Sequence, residues 1–268
     1  MLTHNADTWV KIANKTLKVL DDLFIGFCQK IFRVGVGCPR PSFYWESGTY
    51  RFNNIILQKK LLFVHHLANL PPASLGRQVY DLQVENSLEN TLHQECLEHL
   101  IQMGITNLRE ISKWQYKRIV RKYIHTKARG ELLNDIQRYK KLSHDKLSCE
   151  PLERKKYLST LSLENARMRF RVSSSFVQGV RTHFPRKYRP LSLSCPACSD
   201  PDASATNENA RNVSVSSPMN QSHDNLTHIL RCEAYSDLRG ESFNPSDDKE
   251  LAEFFTNVVQ RRIETGDI

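Results

Sequence analysis

The stretch that decides the fold runs from Ile111 to Tyr139 and reads ISKWQYKRIVRKYIHTKARGELLNDIQRY. Its large apolar residues recur at the three- and four-residue spacing of one helix face: Tyr116, Ile119, Val120 and Tyr123. Basic residues fill another face: Lys113, Lys117, Arg118, Arg121 and Lys122. The pattern predicts a helix with a buried side and a cationic side, broken or bent near Gly130.

Helical periodicity extends over most of the chain. It predicts helices at 8–33, 53–68, from near Ser74, 87–103, 151–158 and 163–178, and a last helix that Ser246 caps. Gly and Pro break the first helix at 35–41, and the loop that follows carries Tyr44 and Trp45. No convincing strand series occurs in the sequence. The fold class is therefore mainly α, an irregular helical bundle.

The charge of this 268-residue chain is concentrated in one block. The chain carries a formal net charge of +9. Residues 113–189 hold 21 Lys and Arg against 6 Asp and Glu, a balance of +15, whereas the remaining residues hold 17 against 23, a balance of −6. A basic block indicates a polyanion binder, and nucleic acid is the commonest such partner. The alternative is a basic surface that is merely solvated.

The candidate nucleic-acid contacts lie in this block. They are Lys113, Lys117, Arg118, Arg121, Lys122, Arg167, Arg169, Arg171, Arg186, Lys187 and Arg189. Trp114, Tyr123 and Tyr188 are candidates for stacking on unpaired bases, although core or rim packing is the alternative for each.

Two pairs of residues predict a metal site. Cys195-Pro196-Ala197-Cys198 brings two thiolates together in one tight turn, and His228 and Cys232 stand at i and i+4 on one helix face. Three sulfurs and one imidazole nitrogen make a closed tetrahedral set that suits structural zinc and leaves no open catalytic position. Two alternatives remain: His223 in place of His228, or an ordinary exposed Cys pair with Cys232 packed as a small apolar residue.

The Ser/Asn-rich segment 199–223 separates the two halves of this motif. It contains almost no large apolar residues, so it cannot bury enough surface to offset the entropy of ordering. We therefore expect a disordered insertion. The expected organisation is a helical region 1–190, thumb- or linker-like and containing the basic block 113–189, a zinc-stabilised module 191–240, and a C-terminal amphipathic helix 241–268.

Catalytic signals are weak. Asp21 and Asp22 resemble the paired aspartates of polymerases, but they fall on the polar face of a helical pattern and predict a structural role. His65 and His66 are adjacent on a helix and point in different directions, which favours packing over chelation. We therefore expect no enzymatic activity of this chain alone and no small-molecule substrate.

Apolar run length, the first residues of the chain and the cysteine content indicate the cellular location and whether a membrane is involved. No apolar run reaches the roughly 18 residues of a membrane span. The segment 1–15 lacks the pattern of a secretory signal. Seven cysteines, an odd and scattered set, fit a reducing compartment. We expect no membrane partner and a location inside the cell, in the nucleus or the cytoplasm.

Several stretches carry a family resemblance. They are CPRP (38–41), LQKKLLFVHHLANLPPASLGRQVYDLQ (57–83), ISKWQYKRIVRKYI (111–124), YLSTLSLENARMRFRV (157–172), CPAC (195–198), LTHILRCEAYSDLR (226–239) and LAEFFTNVVQRR (251–262). Their order resembles the C-terminal region, after the polymerase palm, of reverse transcriptases of animal non-LTR retrotransposons, the jockey-like group. The spacer between the Cys pair and the His/Cys pair is longer than in that family.

The resemblance implies a non-catalytic segment of an RNA-directed DNA polymerase that binds RNA or DNA and holds structural zinc at Cys195, Cys198, His228 and Cys232. The polymerase carboxylates would belong to the parent protein. Two other interpretations remain: a helical protein-interaction module whose basic face meets acidic partners, and an inert remnant of a decayed element.

Overall fold

The structure is a computed structural model that describes residues 5–8, 10–86, 88–139, 142, 151–174, 226–240 and 242–265. Within these ranges the chain forms helices and turns and no β-strand, which confirms a mainly α fold. The helices are α1 Asn14–Phe32, α2 Arg40–Ser47, α3 Phe52–Ala68, α4 Leu75–Glu85, α5 Leu92–Gln102, α6 Lys113–Gln137, α7 Tyr157–Thr160, α8 Leu163–Ser173, α9 Leu226–Arg231, α10 Ser236–Arg239 and α11 Asp248–Glu264, with 3₁₀ turns at Ala6–Thr8 and Glu233–Tyr235.

The chain divides into two compact units. The first comprises Met1–Cys28, Phe43–Arg138 and His144–Arg154, and the second comprises Gln29–Ser42, Tyr139–Ser143 and Lys155–Ile268. Both domain boundaries expected from the sequence, after residues 190 and 240, fall inside the second unit. The expected insertion 199–223 lies outside the described residues.

The core of the first unit forms where α3, α5 and α6 pack together. Tyr116 of α6 is buried, and its hydroxyl donates a hydrogen bond of 2.9 Å to the main-chain oxygen of Leu61 in α3. The His65 ring stacks on Tyr116 with 4.4 Å between ring centroids, and its Nε2 lies 3.0 Å from the main-chain oxygen of Ile111. His65 therefore packs between two helices, as the sequence predicted.

Helix α6 continues through Gly130, so the expected break there is wrong. Its buried residues recur along the whole helix: Tyr116, Val120, Ile124, Ala128, Leu132 and Ile136. Gly130 is exposed, and a side chain there would meet nothing within 4 Å. The buried face is thus continuous on both sides of the glycine, and its packing outweighs the roughly 1 kcal/mol preference against glycine in a helix.

The expected loop around Tyr44 and Trp45 is also wrong, because these residues belong to α2. Both side chains are buried. The Tyr44 hydroxyl donates 2.8 Å to Oδ1 of Asp21, and the same oxygen accepts the Phe52 amide at 3.2 Å. Asp21 therefore joins three segments of the first unit, which is the structural role expected for it. Burial of aromatic rings outweighs the helix-breaking signal of the nearby Gly and Pro residues.

Helix limits otherwise follow the sequence with shifts of a few residues. Ser74 accepts the Arg77 amide as the N-cap of α4, at the expected place. The last helix is capped by Asp247 instead of Ser246, because its carboxylate accepts the amides of Lys249 and Glu250 at 2.8 and 2.9 Å. α1 and α5 begin later than expected, and the segment 151–158 becomes helical only from Tyr157.

The core of the second unit forms between α8 and α11 and the stretch 229–235. Its buried residues are Met168, Ile229, Cys232, Tyr235, Leu251, Ala252, Phe254, Phe255 and Val258. The Phe32 and Phe170 rings stack at 4.0 Å beside it. Cys232, one of the predicted metal ligands, is therefore itself part of an apolar core.

Two glycines give opposite predictions for stability. Gly48 has φ +63°, and a Cβ built there would lie 2.2 Å from the main-chain nitrogen of Arg154. Gly48→Ala should therefore lower the free energy of unfolding by about 3 kcal/mol or more, through backbone strain and a clash with main chain. Gly130→Ala should raise it by about 0.5–1 kcal/mol.

Urea unfolding of both variants measures these changes. Equal effects of the two substitutions would contradict the close approach of Gly48 to Arg154 and the continuity of α6.

Candidate functional site

The N-terminal half of α6 presents its basic side chains in two adjacent rows. Lys113, Lys117 and Arg121 form one row at four-residue spacing, and Trp114, Arg118 and Lys122 form the other. All six side chains are exposed. We call this surface the α6 cationic face. Packing of the opposite face fixes its orientation.

The charges of the α6 cationic face are not neutralised within the described part of the chain. No carboxylate oxygen of those residues lies within 4.0 Å of any of its five cationic groups. One turn further on, by contrast, Lys127 pairs with Glu131 at 2.8 Å. Like charges four residues apart destabilise a helix by about 0.2–0.5 kcal/mol per pair, so the face carries an electrostatic cost that an anionic partner would relieve.

The three arginines of α8 lie in a different environment. Arg167 is buried, its Nε donates 2.6 Å to the main-chain oxygen of Ile31, and it pairs with Glu164. Arg169 pairs with Asp248 at 2.5 Å and lies over the Tyr157 ring.

Arg171 donates 3.0 Å to the main-chain oxygen of Arg33, and burial lowers the pKa of its guanidinium. Each α8 arginine thus has a partner inside the second unit, and contact of any of them with nucleic acid stays a prediction. Arg186, Lys187 and Arg189 lie outside the described residues, as does Tyr188.

Tyr123, a predicted stacking residue, is held by neighbouring side chains. Its hydroxyl lies 2.8 Å from Nδ1 of His99 and donates 2.5 Å to Gln102. Burial raises the pKa of this phenol. Tyr123 therefore ties α6 to α5, whereas among the described residues Trp114 makes no hydrogen bond to another helix.

The predicted metal ligands are described only in part. His228 lies in α9 and is half-buried, whereas Cys232 has extended backbone after the end of that helix and is 2% exposed, so the predicted placement of both residues on one helix face is wrong. Cys195 and Cys198 lie outside the described residues, and so does His223. Among the side chains that the structure describes, no three or more His, Cys, Asp or Glu residues come together as a metal site. One imidazole and one thiol are donor types that zinc uses, but the Cys232 thiol packs in the apolar core of the second unit.

Two arginines hold the stretch that contains His228 and Cys232. Arg239 donates 2.8 Å to each of the main-chain oxygens of Leu230 and Cys232, which closes the C-terminal end of α9. Arg262 of α11 is fully buried, and its Nε donates 2.9 Å to the Tyr235 hydroxyl. The sequence predicted neither role. The one indication in it was Arg239, eight residues after the end of a helix, where main-chain carbonyls without intrahelical partners need hydrogen-bond donors.

The first unit also has an open cleft of about 380 Å³ beside α3, lined by Lys60, Glu95, His99 and Lys127, among others. Lys60 pairs with Glu95 and Lys127 with Glu131, and Lys11 also lines the cleft. The cleft therefore presents fewer unpaired cations than the α6 cationic face.

Comparisons with known proteins give no family assignment. No family model, no curated protein and no solved structure matches the chain. Among the described helices, none combines the length and the apolar character needed to cross a membrane.

The adjacent residues Arg261 and Arg262 give a test of how the Cys232 segment is held. Arg262→Ala should lower the hydrogen-exchange protection of amides 229–239 about 100-fold, because it removes the hydrogen bond to the buried Tyr235 hydroxyl and opens a cavity. Arg261→Ala removes a pair with Asp237 and a 3.1 Å hydrogen bond to the main-chain oxygen of Ala234, but the Arg261 side chain is 33% exposed, so its loss should lower protection much less. Similar losses in both variants would show that Arg262 has no special role.

Proposed function

We propose that this chain binds nucleic acid through the α6 cationic face. The observation that carries the proposal is the array of five exposed cationic groups without carboxylate partners among the described residues. The array spans about 14 Å of helix axis. Each strand of a B-form duplex presents one phosphate per roughly 3.4 Å of helix axis, so about four phosphates of a strand stacked in this way match this length. Five cationic groups would face about four phosphates, so the positive and negative charges of the contact would nearly balance.

Nucleic acid explains this face better than a small anion does. A small anion would engage one or two cations and leave the others repelling each other. A phosphate chain neutralises all of them at once and releases its condensed counterions, which is the main source of affinity in such contacts. The concentration of basic residues in 113–189 supports the same proposal.

In this proposal the chain is a non-catalytic segment of a retrotransposon reverse transcriptase. The support is its resemblance, in the order of helices and of Cys and His residues, to the post-palm region of the jockey-like enzymes. The parent protein would carry the polymerase chemistry. This chain would contribute binding contacts to RNA or DNA.

We also propose structural zinc at Cys195, Cys198, His228 and Cys232. Bound zinc would supply folding free energy, apparent values being roughly 10–16 kcal/mol in finger peptides. The support from described residues is that Arg239 and the apolar packing of Cys232 hold the second pair of ligands on a structured segment.

A protein-interaction module is the second candidate function. It is favoured by an exposed apolar stripe on α1, where Val19, Leu23 and Phe27 recur at four-residue spacing and Phe27 is 62% exposed. Apolar stripes of this kind mark helix-in-groove contacts. Such binding would depend weakly on salt, whereas binding to phosphates falls steeply with salt.

The proposal predicts the effect of reversing two charges on the α6 cationic face. Lys117→Glu/Arg121→Glu should weaken binding to RNA or DNA at least 10-fold. It should also make the slope of log affinity against log salt shallower by about 1.4–1.8, since two phosphate contacts are lost. Fluorescence anisotropy across a salt series measures both quantities.

The matched control is Lys15→Glu/Lys18→Glu, which makes the same change in net charge on exposed positions of α1. It should weaken binding less and leave the slope near its original value. If both double variants weaken binding equally, net charge alone governs it, and the α6 cationic face is not the site.

Zinc content tests the metal proposal. Elemental analysis of the purified chain should find one zinc per molecule, lost in His228→Ala together with a lower melting temperature. His66→Ala, an exposed histidine of α3, should retain the metal. Loss of zinc in His223→Ala, with zinc retained in His228→Ala, would show that His223 is the ligand. Absence of zinc from the unaltered chain would overturn the proposal.

A further inference from the structure

Trp114 stands out among the described aromatic residues by its exposure. Its side chain is 69% exposed, whereas Trp45 is 1% exposed in the core of the first unit. A tryptophan buries a large apolar area when it packs, and leaving it in water forgoes that stabilisation. The core of the first unit does not need Trp114, since α6 already packs through Tyr116 and the residues in line with it.

The surroundings of Trp114 are cationic. The Arg118 guanidinium carbon lies 5.8 Å from the centroid of the indole ring, within cation–π distance. Lys113 and Lys117 belong to the neighbouring row of the α6 cationic face. No carboxylate of a described residue competes for these groups. An apolar ring and a planar cation therefore lie side by side in a field that attracts phosphates.

We propose that Trp114 and Arg118 form a stacking platform for an unpaired base, so that the α6 cationic face takes single-stranded RNA or DNA in preference to duplex. This inference rests on the proposed nucleic-acid function and specifies its substrate class. The lysines and arginines alone would bind either form, because both present phosphates. An indole ring favours the single strand over the duplex, because base faces are accessible in a single strand and are buried between stacked base pairs in a duplex.

Because the platform binds by stacking, it does not distinguish one base from another. Every base has a π face, so an indole and a guanidinium plane accept all of them with little sequence preference. Tyr123 does not extend the platform, because it lies nine residues further along α6, on the opposite side of the helix, where its hydroxyl contacts His99 and Gln102 of α5. The site therefore holds one or two bases in any sequence, while the flanking cations hold the phosphates.

The test compares three ligands of equal length on the full chain: a single strand, the corresponding blunt duplex, and an abasic strand that keeps the sugar-phosphate backbone. Trp114→Ala should weaken binding to the single strand about 10-fold. It should leave the affinities for the duplex and the abasic strand unchanged. Trp114→Phe, which keeps an aromatic ring, should restore most of the lost affinity. DNA and RNA versions of the strand show which sugar is preferred.

The salt slope separates the two proposals. Trp114→Ala should keep the slope of the unaltered chain, because it removes no phosphate contact, whereas Lys117→Glu/Arg121→Glu should reduce it. Equal losses on all three ligands, or no loss on any, would overturn the stacking platform even if the charge-reversed variant confirms nucleic-acid binding. Normal binding by the charge-reversed variant would overturn the proposed function itself.

Discussion

The structure depends on the division of α6 into a packed face and a charged face. Tyr116 and the buried residues in line with it hold the helix against α3 and α5. Each apolar side chain buried there contributes roughly 1.5–3 kcal/mol, far more than the repulsion between neighbouring lysines and arginines costs. The packed face therefore fixes the rotation of α6 about its own axis, and the charged face is exposed to solvent as a consequence.

A second constraint acts on the segment around Cys232. Helix α9 is too short to be stable by itself, so its carbonyls need donors from elsewhere. Arg239 supplies them, and Arg262 anchors the following turn through Tyr235. A thiol and an imidazole are thereby held on a packed segment by contacts within the protein.

The sequence predicted those features that depend on local periodicity. The two faces of α6 follow from its apolar spacing, and the structure confirms them. Features that depend on tertiary partners were missed. Pro41 suggested a loop, yet proline is tolerated in a first helical turn, and burial of Trp45 makes that segment helical. Arg167 counted as a surface charge in the sequence, because charge content does not reveal that a main-chain carbonyl and Glu164 enclose its side chain.

Photo-crosslinking of the full chain to a single-stranded oligonucleotide, followed by mass spectrometry of the adducts, locates the nucleic-acid contact on the chain without assuming which variants retain their fold. If the α6 cationic face is the site, adducts should fall in residues 113–122, with Trp114 among the modified positions. Adducts confined to α1, or to other segments away from 113–122, would contradict the assignment of the nucleic-acid site to the α6 cationic face.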